Sequence, residues 1–481
     1  MKERILELEQ ISTVLRPSSE TRKTWNSQVC EYSEEFLEEI DSKKAYYGNA
    51  GKTVGIYKFD VTEDPVELRQ LLESISKNID AAGINAASGG HLGYIPGGGI
   101  YPSALGDYIA AVSNHYAGVF FAAPGAVRLE NMLLRWMCRT IGFPESSAGN
   151  LTSGGSLSNL MAVVTAREAS GLKAAEFHKA VIYLSEQAHH SLQKAIRIAG
   201  LTEATIRYVP LDDHLRMSAA ELKKAIQKDR ENGLIPFFIN ASLGTTNTGA
   251  VDPIKVISEI AKKEKLWLHI DAAYGGFFKL VPELKNKFEG VEKADSITLD
   301  PHKSLFLPFG TGAVLIKDKK AVQKVHHYLA DYMQDTHSAT EEISPADVSP
   351  ELTKHFRGMR LWLPLKLFGL KPFRAALEEK IYLARYFQKE VQKLKNFETG
   401  PEPELSIAIF RFLPNEGDVN SFNEKLLEEI RKDGRIFLSS TTIDGKFWIR
   451  AAILAYGTHL RHIELLLEIL KEKTSILATE L

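Results

Sequence analysis

The 481-residue chain has only two cysteines, Cys30 and Cys138. Two are too few for a disulfide framework, and their spacing excludes a cysteine-based metal site. A reducing, cytoplasmic setting is the simplest expectation. Neither sign of charge is in excess: 59 Lys and Arg against 61 Asp and Glu leave a net charge of −2. That balance gives no electrostatic grounds for binding nucleic acid or an anionic membrane. Long apolar runs are missing too. The nearest is the uncharged stretch 108–127, which holds Ser113, Asn114, His115, two glycines and Pro124. It lacks a continuous apolar helix face, so it reads as buried core beside a site and not as a membrane span. The opening Met1-Lys2-Glu3-Arg4 is too charged for a secretory signal.

What is present is a chain long enough for a large core and more than one domain. Residues 1 to about 85 read as helices with charged faces, followed by Gly-rich clusters at Gly89-Gly90 and Gly97-Gly98-Gly99. From about residue 150, short apolar runs alternate with amphipathic segments. Strands are predicted over 181–184, 205–209, 237–241, 266–270, 296–299 and 312–316, with helices over 191–199, 219–230 and 254–263. Ser218 and Glu221 form a capping box, and Asp252-Pro253 offers an N-cap with proline at the first helical position. This alternation predicts an α/β fold with a mainly parallel sheet covered on both faces. A polar stretch over 331–353 is long for a connection and reads as a functional lid or a disordered segment. Beyond it come strands over 407–412 and 447–451 and a last helix from about residue 459.

The residues with chemical potential gather where strands end, which is where open parallel sheets bind ligands. His189 follows one strand, Thr245 and Thr246 another, Asp271 ends a third and Lys303 follows a fourth. A carboxylate and an amine so placed are what pyridoxal phosphate (PLP) requires. The amine joins the cofactor aldehyde as a Schiff base, and the carboxylate keeps the pyridine nitrogen protonated so that the ring takes up electrons. An anion cradle is offered by Thr152-Ser153-Gly154-Gly155-Ser156-Leu157-Ser158-Asn159, which supplies glycines, hydroxyls and the start of a helix to about Ala169 whose N-terminus favours phosphate. That turn has neither the dinucleotide nor the Walker spacing. His189 suits stacking on the pyridine face, whereas His190 and the pair His326-His327 read as structural, and no metal site is expected.

These motifs resemble the PLP-dependent group II amino acid decarboxylases. Ser185-Glu186-Gln187-Ala188-His189 is similar to the family's S-[DE]-x-[AT]-H, and Leu243-Gly244-Thr245-Thr246 to its L-G-T-T. The run His269 to Gly276 is similar to H-[VI]-D-A-A-[YW]-G-G, and Asp300-Pro301-His302-Lys303 to [ND]-x-H-K. Phe356-Arg357 and Trp362 fit the segment after the family's catalytic loop. The resemblance implies a fold-type I PLP-dependent transferase-like architecture. Its parts are an N-terminal helical segment (1–88), a large PLP-binding domain (89–375) and a small C-terminal α/β domain (376–481). It also implies a homodimer with the active site at the interface. Lys303, His189 and Asp271 are then catalytic, and the cofactor site comprises Gly155, Ser156, His189, Thr246, Asp271, Ala273, Asp300, His302 and Lys303. The implied reaction turns an L-amino acid into its amine and CO2.

Three positions depart from the family pattern. Counting back from Phe356-Arg357, the family's loop tyrosine falls near Pro345, and no Tyr occurs between Tyr332 and Tyr382. Tyr328 or Tyr332 could serve only with the loop threaded differently. Family members without this tyrosine can divert the carbanion to oxygen and release an aldehyde. Ser304 stands where many relatives have Trp, and Gly97 where aromatic-acid enzymes carry a hydroxyl. Small residues there leave room, which favours a bulky side chain unless a loop fills the space. Decarboxylative oxidative deamination and transamination are the alternative reactions on this scaffold. A non-catalytic paralogue is opposed by the intact Lys303, Asp271 and His189.

Overall fold

The computed structural model describes residues 1–327 and 342–479. Its central sheet has seven strands: β1 (Ala148–Thr152), β2 (Ala180–Ser185), β3 (Thr205–Val209), β4 (Ile235–Ser242), β5 (Trp267–Ala272), β6 (Ser296–Leu299) and β7 (Gly312–Ile316). They lie side by side in the order β1-β7-β6-β5-β4-β2-β3. All pairings from β6 across to β3 are parallel, while β7 runs antiparallel to both its neighbours. Every residue of β2, β6 and β7 is buried. Strands covered on both faces read as unbroken apolar runs, which made β2 and β4 to β7 predictable; the half-covered edge strand β3 was also anticipated. The unanticipated strand is β1, whose Gly149 and Asn150 are poor strand formers. Gly149 is required there, because a Cβ would stand 2.7 Å from the Val314 carbonyl oxygen of β7.

Local signals held unevenly. Ser218 caps the helix Ala219–Glu231, its Oγ accepting from Glu221 N at 3.4 Å. Asp252 does not cap the helix Ile254–Glu264. Its buried carboxylate accepts from Met217 N and Ser242 N, both at 2.7 Å, and ties β4 to a distant turn. The stretch 108–127 is only half core. Ala117, Val119, Phe120 and Val127 are buried, but Tyr108, Ile109, Val112 and Phe121 are exposed. The reason is that the helix Tyr101–Ser113 packs one narrow face, at Gly106, on the helix Gly358–Phe368, where a Cβ would meet Arg360 Cα at 2.8 Å.

Of the supposed lid, residues 331–341 lie outside the described residues. The remainder is pinned and is no free loop. Ala346 N donates to Gly118 O at 3.0 Å, and Asn131 Nδ2 and Arg135 Nη1 bind Glu342 Oε2 at 2.9 and 3.0 Å. Pro345 is buried in a short 3₁₀ turn, Pro345–Val348.

A second, antiparallel sheet places Phe397–Thr399, Ile407–Phe412, Lys446–Ala452 and Ser439–Ile443 side by side. The long helix Leu370–Gln392 joins the two sheets. Its Phe373, Leu377 and Ile381 pack into the core of the large sheet, and its Leu383, Phe387 and Val391 into that of the small one. At the other end of the chain, the helices Lys2–Ser12 and Ser19–Glu38 bury no residue. Among the described residues no helix is long and apolar enough to cross a membrane.

Candidate active site

Beyond the C-terminal ends of β2, β4, β5 and β6 lies a cavity of about 280 Å³. Gly155, Ser156, His189, Thr246, Asp271, Ala273, Asp300, His302 and Lys303 all line it. The fold thus brings together every residue assigned to the cofactor site from the sequence, whereas Gly97, Ser304 and Pro345 do not line the cavity.

One wall is the start of the helix Gly155–Ser170. Its first turn closes on Gly154 O through Leu157 N and Ser158 N, so the N–H groups of Gly155 and Ser156 have no helical acceptor. A Cβ on Gly155 would lie 2.9 Å from Asp300 Oδ2 and 3.3 Å from Ala273 Cβ, so only glycine lets the helix start come this close.

Asp271 forms the floor, and both of its oxygens are engaged. Asn159 Nδ2 donates to Oδ2 at 3.0 Å and Ala273 N to Oδ1 at 3.1 Å. Across the cavity, Ser191 N donates to His189 Nδ1 at 3.3 Å, which assigns the ring proton to Nε2. Burial pushes the His189 pKa below its ordinary value, so the ring presents a neutral, flat face at pH 7. His302 is also held low by burial; its Nδ1–H donates to Thr311 O at 2.7 Å.

Lys303 Nζ stands 3.1 Å from Asp300 Oδ2. Asp300 is buried, and neither of its oxygens accepts an aligned hydrogen bond. The cavity therefore offers an amine, an under-used carboxylate, a helix N-terminus and a neutral imidazole. The Pyridoxal-dependent decarboxylase conserved domain model matches residues 55–413.

The chain belongs to the pyridoxal-dependent decarboxylase family.

It is 33% identical over 395 residues to an aromatic-L-amino-acid decarboxylase of Bacillus atrophaeus, spanning 81% of this chain and 82% of that one. It is 29% identical to a phenylacetaldehyde synthase of Petunia hybrida, over 86% of this chain and 86% of the relative. Its fold matches that of Oryza sativa TDC solved with PLP and tryptamine, with a TM-score of 0.91 at 22% identity, covering 96% and 99% of the two chains. This PLP-dependent carboxy-lyase thus has the fold-type I architecture expected of it.

The cavity fits the cofactor on its own geometry. The helix start that excludes a Cβ at Gly155 leaves room for an anion, and Lys303 and Asp271 reach the cavity from separate strands.

Two residues of the decarboxylase went unnoticed in the sequence. Asn159 is a buried hub that donates to Ser191 Oγ and Asp271 and accepts from Thr298 Oγ1 at 2.7 Å and from His269 Nε2 at 3.1 Å. Its only sequence signal is its place one helical turn after Gly155. Arg450, from the small sheet, is buried and has no carboxylate partner among its bonds. Its Nη2 donates to Thr246 O at 2.6 Å and to Tyr94 O at 2.8 Å, and its Nε to Asn247 O at 3.2 Å. Desolvation lowers its pKa to about 10, so it stays charged at neutral pH. Nothing in the sequence pointed to it.

Proposed function

We propose that this decarboxylase removes CO2 from an L-amino acid with an aromatic side chain, releasing the amine, and works as a cytoplasmic homodimer. The observation that carries this reading is the meeting of Lys303, Asp271, His189 and the Gly155–Ser170 helix start in one cavity. The aromatic preference rests on the likeness to the Bacillus enzyme. Gly97 and Ser304 do not add to it, because neither lines the cavity and a Cβ on Gly97 would collide with the His302 carbonyl oxygen. When bound, PLP supplies an aldehyde conjugated to a pyridine ring that accepts electrons.

The chain's own residues then have distinct tasks. Lys303 would hold the aldehyde end, and the free N–H groups of Gly155 and Ser156, with His302 beside them, would hold the phosphate. Asp300 would bound that end of the site from below. Asp271 would face the ring nitrogen, its carboxylate fixed by Asn159 and the Ala273 N–H. The neutral His189 would cover one face of the ring and exclude water, with Ala273 and Thr246 bounding the remainder. A dimer would cover the exposed apolar residues of 1–38 and of the helix Tyr101–Ser113, among them Leu6, Ile11, Trp25, Tyr108 and Val112. We extend the division at residues 88 and 375 to the organisation of each subunit.

A second reading is favoured by Pro345, which stands where the family's loop tyrosine is expected and is buried in a turn. It is oxidative: amino acid, O2 and water give aldehyde, CO2, ammonia and hydrogen peroxide. Incubation with an amino acid panel under an oxygen electrode decides between the two. Amine and CO2 without oxygen uptake supports decarboxylation. Peroxide and ammonia in step with CO2 would replace it with the oxidative reaction, and no turnover of any aromatic amino acid would remove the substrate assignment.

A further inference from the structure

Strand alternation places Trp267, His269 and Asp271 on one face of β5, and Ser296 and Thr298 beside them on β6, with His269 opposite Ser296 and Asp271 opposite Thr298. Asn159 comes down onto this face from the helix Gly155–Ser170. A continuous line of side-chain hydrogen bonds results. Trp267 Nε1 and Ser296 Oγ are 2.8 Å apart, Ser296 Oγ and His269 Nδ1 2.9 Å, His269 Nε2 and Asn159 Oδ1 3.1 Å, and Asn159 Nδ2 and Asp271 Oδ2 3.0 Å.

The direction of every bond is fixed by its ends. The indole N–H can only donate, and the Asn159 amide oxygen can only accept. His269 Nε2 must therefore carry a proton. Burial pushes the His269 pKa down to about 4, so the ring is neutral and Nδ1 is an acceptor. Ser296 then accepts from Trp267 and donates to His269. Every bond in the chain donates toward Asp271. Aligned donors in a low-dielectric interior polarise one another, and hydrogen bonds donated to a carboxylate favour its charged form.

We propose that Trp267, Ser296, His269 and Asn159 form a directed relay that keeps Asp271 ionised, so that the shared proton sits on the cofactor ring nitrogen and not on the carboxylate. The proposal rests on the reading that Asp271 faces that nitrogen. Trp267 lines no part of the cavity; its ring borders a separate groove with Lys262 and Lys265. It is a positioning residue acting through three others. Cutting the relay lets the proton move toward Asp271 without removing any group that touches the cofactor.

The test uses holoenzyme loaded with PLP carrying nitrogen-15 in the ring, whose resonance reports where the proton resides. His269→Leu cuts the relay, and the ratio of ring-protonated to carboxyl-protonated forms should fall about tenfold. Trp267→Phe removes only the first donor, and the fall should be about threefold. His269→Gln keeps an N–H toward Asn159 and should restore most of the native signal. Asp271→Asn separates the two readings. If it leaves the resonance unchanged, the placement of Asp271 against the ring fails. If it moves the resonance while Trp267→Phe leaves it where it was, the relay is overturned, whether or not His269→Leu folds.

Discussion

Lys354→Met should destabilise the protein severely, because it strands a buried carboxylate. Lys354 Nζ donates to Glu130 Oε2 at 2.8 Å, Asn150 Oδ1 at 3.0 Å and Leu151 O at 3.3 Å. The side chains of this ion pair are 0% and 1% exposed. Methionine has similar length and shape, so the change leaves little cavity. It does leave Glu130 with a single donor, Gly358 N at 3.0 Å. Removing one partner of such a pair costs about 3–5 kcal/mol, most of it the uncompensated charge. Glu130→Gln in the same chain removes that charge, so the double variant should recover at least half of the loss. Function is drawn in as well, because Leu151 O also accepts from Arg357 Nη1 at 3.2 Å, one residue before the turn that opens the phosphate cradle. Urea unfolding of the holoenzyme, followed by circular dichroism and by the absorbance of released cofactor, measures both effects. A double variant no more stable than Lys354→Met would refute the reasoning.

Lys303→Ala should give a protein that borohydride no longer links to PLP, as mass spectrometry of the treated protein would show. Gly155→Ala should weaken PLP binding at least about tenfold, since its Cβ would press on Asp300 Oδ2 at 2.9 Å; titration of apoprotein by absorbance measures it. Acid should weaken the fold between pH 6.5 and about pH 4. Burial pushes His91, His269 and His326 down to about 4, so the unfolded chain takes up protons from 6.5 downward that the folded chain refuses. Stability is full above 6.5 and falls by about 1.4 kcal/mol per pH unit for each histidine. His91→Phe should remove one histidine's share of that loss, about 1.4 kcal/mol per pH unit, read from urea midpoints at pH 7 and pH 5.

The large sheet was legible because burial on both faces leaves its imprint as consecutive apolar residues, and β4 and β5 show this directly. Asp271 and Lys303 stood out because each interrupts such a run. What stayed hidden depends on contacts between distant segments. Asp252 looked like a helix cap until Met217 N, 35 residues away, claimed its carboxylate. Asn159 looked like one more polar residue in a turn, since its partners Ser191, His269, Asp271 and Thr298 come from three other segments. The exposed side of the helix Tyr101–Ser113 is as apolar as a core helix, and composition alone does not separate a surface awaiting a partner from an interior.

Arg450 bears on the order in which the protein is made. The last strand of the large sheet ends at Ile316, so the cavity floor and its lysine are made while a third of the chain is still unsynthesised. The rim is not complete by then. Thr246, Asn247 and Tyr94 are fastened by a guanidinium that leaves the ribosome at residue 450. Until the small sheet closes, the nascent chain has the chemical groups of its site without the walls. The backbone carbonyls of Thr246, Asn247 and Tyr94 thus depend on a strand made late, and a protein truncated before residue 450 would lack the guanidinium that gathers them.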